Sequence, residues 1–272
     1  EKLLCDLNRN LAPIGNNALL VTDNILAVEK INIINKHTIM ALFLDKATKD
    51  NICSFIDSCN KKGYIPAIKL PQILRGEDAK QLKETLNNLP VKPVILADNM
   101  GALNFLDMGY KVIASTGLNI MNSLSYEVIG KLGCDGAALS IEKSIEGLNE
   151  NLKDCYIYSF GYPVLMHLAH CPYRAALGVN CGADCAKDSL VLNRKRGISL
   201  SARRVKTQSG CIFELTGDRA VNIINMHQGN IYADLRGLTD MEIKAFEKAI
   251  NSSAVQKIAA KEDTGKAFTP IK

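Results

Sequence analysis

The sequence predicts an α/β protein whose parallel strands curl into a barrel, complete or short of closure, with a C-terminal lobe that binds metal through four cysteines. Three observations carry this expectation. Short apolar runs alternate with amphipathic helical stretches about seven times in series, and strands separated by helices pair in parallel. So many units in a row favour a closed or nearly closed barrel over an open sheet, and no G-x-G-x-x-G follows any run, which disfavours the open dinucleotide-binding form. Finally, Cys171, Cys181, Cys185 and Cys211 stand in one polar stretch with nine, three and twenty-five residues between them.

Taken in order, Ala18–Thr22 (ALLVT) reads as a strand and Ile25–Ile34 as a helix. Thr38–Leu44 (TIMALFL) is a buried strand, and Lys49–Lys62 is a helix with Ile52, Phe55, Ile56 and Cys59 on one face. Tyr64–Leu70 is the third strand, with Pro66 and Pro71 placed where no ladder donor is needed. The helix Glu77–Asn88, the strand Val94–Ala97 and the helix Met100–Met108, stopped by Gly109, come next. Lys111–Ala114 is a strand, Ser123–Leu132 a helix with Gly133 behind it, and Gly136–Leu139 a short strand. Lys143–Asn151 is the last barrel helix expected, Cys155–Phe160 a strand, and PVLM (Pro163–Met166) the final one. Near the end, Thr239 caps an amphipathic helix carrying Met241, Ile243, Phe246 and Ile250. The chain thus divides into a lead-in over 1–17, the barrel over 18–170, a cysteine lobe over 171–235, and a helix and tail over 236–272.

A parallel barrel keeps its chemistry at the C-terminal ends of its strands. Polar residues gather there: Asp98-Asn99 after VILA, Ser115 to Asn119 after KVIA, Ser140 to Glu142 after GAAL, and His167 and His170 after PVLM. A pocket lined by Asn119, Asn122, Ser140, Glu142 and His170 is the expectation, lying next to the metal. Glu142 is the acid of this set. Buried, it would have a raised pKa and could exchange a proton with substrate; its other reading is a cap at the start of the helix that follows. Capping is the competing role for Ser140 and Ser123 too.

The four cysteines could close a tetrahedral shell around zinc or give one thiolate to each iron of a cubane cluster. Nine cysteines, an odd number spread over helices and strands, suit a reducing cytosol better than a disulfide scaffold. No apolar run reaches the roughly 18 residues of a membrane span. The net charge of +5 permits an anionic partner without requiring one. Arg194, Lys195, Arg196, Arg203 and Arg204, between the third and fourth cysteines, are candidates for binding RNA or an anionic small molecule. Their other reading is a solvated hairpin turning at Arg196-Gly197. A serine peptidase would need a G-x-S-x-G elbow and a zinc peptidase H-E-x-x-H, and neither is present. Cys171 beside His170 and Arg174 leaves a thiol nucleophile as an alternative.

The runs LNIMNS (Leu118–Ser123), LSIE (Leu139–Glu142) and GYPVLMHLAHCP (Gly161–Pro172), with IPAIKLPQI and the turn Asp98-Asn99-Met100-Gly101, resemble the collagenase-like peptidase family U-32 in order and spacing. The resemblance covers roughly residues 18 to 225. It implies a TIM-like barrel with a four-cysteine site just beyond it. Members of that family include oxygen-independent hydroxylases of transfer RNA, ribosomal RNA or the ubiquinone ring. They require a 4Fe–4S cluster, and prephenate is implicated as the source of the hydroxyl oxygen. Carried over by position, Cys171, Cys181, Cys185 and Cys211 would hold the cluster, with zinc the alternative occupant after aerobic preparation. Long members carry a second, shorter barrel copy near the C-terminus, which this chain resembles; together with the missing initiator Met, that reads as one part of a longer polypeptide. Where long members tend to have Asp-Arg-Lys-Gly, this chain has Asn193-Arg194-Lys195-Arg196-Gly197, losing the acid. The resemblance thus implies a cytoplasmic hydroxylase component. A non-catalytic scaffold or RNA-docking domain, and a peptidase as the family name says, are the alternatives.

Overall fold

The computed structural model describes residues 17–33, 37–45, 49–144, 152, 154–178, 189–193, 199–207, 210–227 and 229–251. The first six strands are β1 (Asn17–Thr22), β2 (His37–Phe43), β3 (Ile65–Lys69), β4 (Val94–Ala97), β5 (Val112–Ala114) and β6 (Gly136–Ala137). Then come β7 (Tyr156–Gly161), β8 (Val164–Leu168), β9 (Ser189–Asn193), β10 (Ser199–Thr207), β11 (Gly210–Gly217), β12 (Val221–Asn222) and β13 (Asn230–Asp234). The helices are α1 (Leu26–Lys30), α2 (Lys49–Lys62), α3 (Gly76–Asn87), α4 (Ser123–Lys131), α5 (Pro172–Leu177) and α6 (Asp240–Asn251).

Nine strands form one curled sheet in the order β12-β7-β13-β1-β2-β3-β4-β5-β6. Every neighbouring pair in it is parallel except β12–β7. Just past β6, Ala138 bridges Tyr156 of β7 in parallel and the Leu139 N–H donates to the Tyr156 carbonyl at 2.8 Å. The chain beyond one side of the sheet therefore touches a strand near the other. Strand alternation explains the continuous apolar runs, since both faces are covered. Leu20, Met40, Leu42 and Ile68 face the helices, packing with Ile52, Phe55, Leu86 and Phe246. Leu19, Val21, Ile39, Ala41, Leu96 and Tyr232 face inward, and Val205 of β10 joins them from outside the sheet.

That visitor comes from an antiparallel sheet ordered β8-β11-β10-β9. Val164–Leu168, expected as the last barrel strand, edges this second sheet instead. Its place beside β1 is taken by β13, which comes from the far side of the antiparallel excursion. The two faces of the antiparallel sheet differ. Ala202, Phe213 and Leu215 form a small core with Tyr173 on one face, while Arg203, Val205 and Glu214 alternate to the other and meet the curled sheet.

Two helices are shorter than expected, the first through tertiary competition for backbone donors. In the stretch Ile25–Ile34, only Leu26–Lys30 is helical, because the Asn32 N–H goes to Glu247 at 3.0 Å and the Ile33 N–H to the Tyr64 hydroxyl at 3.0 Å. The Met100 segment is a 3-10 helix, Met100–Phe105, started by Asn99, whose side chain accepts the Ala102 N–H at 3.0 Å. Lys143 and Ser144 are not helical, and the rest of the expected Lys143–Asn151 helix lies outside the described residues. Among the described residues no helix is long and apolar enough to cross a membrane.

Candidate functional site

The C-terminal ends of the parallel strands converge on a cavity of about 350 Å³. That end of a parallel sheet is where loops are free to build a site, the strands themselves being packed. Lys69 is the last residue of β3, and Asp98 directly follows β4. The two form a buried ion pair. The Lys69 ammonium also donates to Ser115 Oγ at 3.0 Å, and the Gly117 N–H donates to Asp98 Oδ1 at 3.0 Å. Gly117 is required at that point, since a Cβ there would lie 2.5 Å from the Asp98 carbonyl oxygen. Burial alone would lower the Lys69 pKa, but Asp98 outweighs it and holds the amine above its ordinary value. Lys69 is therefore a fixed cation, not an amine nucleophile.

On the opposite side Arg236, just after β13, donates to Asp234 from Nε at 2.8 Å and Nη2 at 2.6 Å, and from Nη1 to Glu214 Oε2 at 3.2 Å. Its guanidinium carbon sits 4.0 Å over the Phe43 ring. Arg203 adds a second bond to Glu214 Oε2 at 2.7 Å. Burial pushes both carboxyls up, yet Arg236, aided by Arg203, holds Asp234 and Glu214 below the usual carboxylate range. His167, 3.9 Å from Glu214, is shifted down by burial, with Glu214 only partly opposing. Between these groups stand Tyr158 and Tyr232, stacked with ring centroids 5.5 Å apart. Burial, reinforced by Asp234, raises Tyr158 well above an ordinary phenol, and Tyr232 is raised too, first by burial.

Asn119, Ser140 and Glu142 line this cavity as expected. Asn119 is held in the left-handed region at φ 56° and is hydrogen-bonded to Ser140. Glu142 is exposed at the rim rather than buried, and its N–H donates to Ser140 Oγ at 3.2 Å. Asn122 does not line the cavity. It is the N-cap of α4, accepting the Ser125 N–H at 2.9 Å in a capping box. His170 is exposed and outside the cavity wall, a place His167 takes because strand alternation aims it inward with Glu214.

Compared with family models, with curated proteins and with solved structures, the chain has no match in any of the three.

Of the four lobe cysteines, Cys181 and Cys185 lie outside the described residues, as do Arg194, Lys195 and Arg196. Cys171 and Cys211 are half-buried cysteines packed on the small core of the antiparallel sheet. Leu168 pairs with Phe213, so both thiols belong to one end of that sheet. Cys211 shares a face with Phe213 and Leu215, whereas Glu214 points the other way, into the cavity. Among the described residues no group of three or more His, Cys, Asp or Glu could hold a metal. Cys59, Cys134 and Cys155 are pushed up by burial to about 12, 11 and 12, as inert core thiols are.

Of the basic run, the described residues are Arg203 and Arg204. Consecutive strand residues Arg203 and Arg204 face opposite ways: Arg203 is paired with Glu214, and Arg204 is buried, 4% exposed. β9 and β10 pair antiparallel, and the turn expected at Arg196-Gly197 lies outside the described residues.

One Ser–His contact exists among the described residues, between Ser159 Oγ and His227 Nε2 at 2.7 Å. Its polarity is wrong for a nucleophile. His227 Nδ1 accepts the Gly229 N–H at 3.1 Å, leaving the ring proton of the neutral form on Nε2, and the Ser159 hydroxyl donates to the Ile157 carbonyl at 2.6 Å. The serine receives a proton bond from the histidine and gives its own to the backbone.

Proposed function

We propose that this chain is the iron–sulfur-bearing component of an oxygen-independent hydroxylase acting on RNA or a small aromatic molecule, of the kind found in the U-32 family, in a cytosolic setting. The curled sheet is then a TIM-like barrel closed through the Ala138–Tyr156 bridge. The observation that carries the reading is the cavity at the strand ends, roofed by a sheet whose small core both Cys171 and Cys211 pack against. Two half-buried cysteines at one sheet end support a cluster, and Cys181 and Cys185 follow in sequence between α5 and β9. Cys171, Cys181, Cys185 and Cys211 would hold it, and when bound it supplies one-electron chemistry. The chain's own groups bind and orient. Lys69 and Arg236 are permanent cations fixed by their acids, Tyr158 holds a proton, and the loops carrying Asn119 and Ser140 shape the mouth beside Glu142. The Ser159–His227 polarity weighs against a serine peptidase.

Anaerobic reconstitution with iron and sulfide tests this. A broad absorption near about 400 nm should appear, be lost in Cys181→Ser or Cys185→Ser, and persist in Cys53→Ser. Equal loss in Cys53→Ser, or no iron uptake by the wild type, overturns the assignment. In the loaded protein, Glu142→Gln should abolish turnover while leaving iron content and folding intact if the rim acid touches substrate.

A further inference from the structure

The Tyr158 side chain lines the cavity, is 9% exposed, and its hydroxyl has no hydrogen-bond partner among the described residues. A buried hydroxyl left unpaired costs about 1–3 kcal/mol, so the protein carries an unmet donor in the wall of this recess. Gly161 makes room for that hydroxyl: a Cβ there would lie 3.1 Å from it. Burial and the neighbouring Asp234 keep the phenol protonated, which makes it a donor seeking an acceptor.

The charges around it are already matched. Lys69, Arg203 and Arg236 stand against Asp98, Asp234 and Glu214, three against three, each in a contact of its own. Burial favours neutral His167, and the acid at the rim, Glu142, repels anions. An entering anion would find no unspent countercharge, a cation would find only the exposed, solvated Glu142 at the rim, and either would lose its hydration. Leu165 and Met166, 49% and 55% exposed at the mouth, offer apolar surface instead.

We propose that the cavity takes an uncharged, ring-sized group bearing a carbonyl oxygen, and that the Tyr158 hydroxyl donates the hydrogen bond that seats it. This rests on reading the cavity as the place where substrate binds. A pyrimidine base and a free aromatic carbonyl share this chemistry.

Four probes separate the possibilities, three of one size and one larger: benzamide (neutral, with a carbonyl), benzoate (an anion), benzamidine (a cation lacking the carbonyl) and the nucleoside uridine (the base). Saturation-transfer NMR titrations on the full chain should show benzamide or uridine bound at least about tenfold more tightly than benzoate and benzamidine. The tighter of the two neutral probes names the source. Tyr158→Phe should weaken the neutral probe about tenfold while leaving the melting temperature unchanged or higher, because it removes an unpaired hydroxyl. Leu165→Trp, at an exposed position, should block the mouth and abolish binding. Preference for an ion, unchanged affinity in Tyr158→Phe, a lower melting temperature in that variant, or binding untouched by Leu165→Trp overturns the proposal and leaves the cavity reading standing. Failure of all four probes to bind overturns both.

Discussion

Arg236 shows how much a single buried residue decides here. It pairs with Asp234 and Glu214 at once, in a place 2% exposed to water. Removing one member of such a set costs about 3–5 kcal/mol, since the partners remain buried and charged. Arg236→Met should lose stability on that scale in urea denaturation at neutral pH. The pH dependence gives the sign. In the wild type both carboxyls are held below their unfolded values, so their contribution is full above the ordinary carboxylate range and fades as pH falls through the depressed folded values. Without Arg236, burial dominates Asp234 and raises it. The variant should then gain on the wild type as pH is lowered towards about 4. A loss that is the same at pH 5 and pH 8 would show that the arginine acts by packing alone.

At the scale of elements, the close approach of β7 to β13 explains why a glycine ends β7. Gly161 has φ +117°, and a Cβ there would sit 2.1 Å from the Asp234 carbonyl oxygen. Gly161→Ala should therefore destabilise by more than about 1 kcal/mol and perturb the cavity, since the same Cβ crowds the Tyr158 hydroxyl. Gly130, inside α4, is the contrast, since a methyl added there would meet nothing within 4 Å. There Gly130→Ala should stabilise by about 0.5–1 kcal/mol. Thermal melts of the two variants check both signs. The hairpin β10–β11 shows what strand alternation does to a charge run: arginines adjacent in sequence end on opposite faces, one in the cavity network and one buried against the other side.

For the whole molecule, the order of the large sheet sets what can be removed. β13 lies between β1 and β7, and β11 supplies Glu214 to Arg236 across the gap between the sheets. A chain ending at residue 170, the boundary the sequence suggests for the barrel, would leave β1 and β7 with bare inner edges and the inward core open at Val205 and Tyr232. Such a chain should fail to unfold cooperatively, whereas residues 17–251 should give a single transition. Circular dichroism melts of the two decide it.

Much of this architecture was legible because parallel strands covered on both faces need continuous apolar runs, and those runs are local features. ALLVT, TIMALFL, VILA and KVIA announce themselves, and the loops after them carry the polar residues that line the cavity, Asp98, Asn119, Ser140 and Glu142 among them. NIYAD at Asn230–Asp234 carries no such signal. It is polar at both ends with three apolar residues between, and its place in the sheet is set only when β13 inserts between β1 and β7. Lys69 was readable as the one charge inside IPAIKL, but not its role, which requires Asp98 from the next strand. Asn122 and His170 were placed by sequence proximity to the cavity, and local geometry then spent one on a helix cap and turned the other outward. The sequence by itself determined most of the parallel strands, where the helices lie and which loops carry polar groups, because periodicity and capping act over a few residues. Only the tertiary structure decided which of those groups meet, because Lys69 meets Asp98 and Glu214 meets Arg236 between different strands, and burial, which sets their protonation, belongs to the assembled fold.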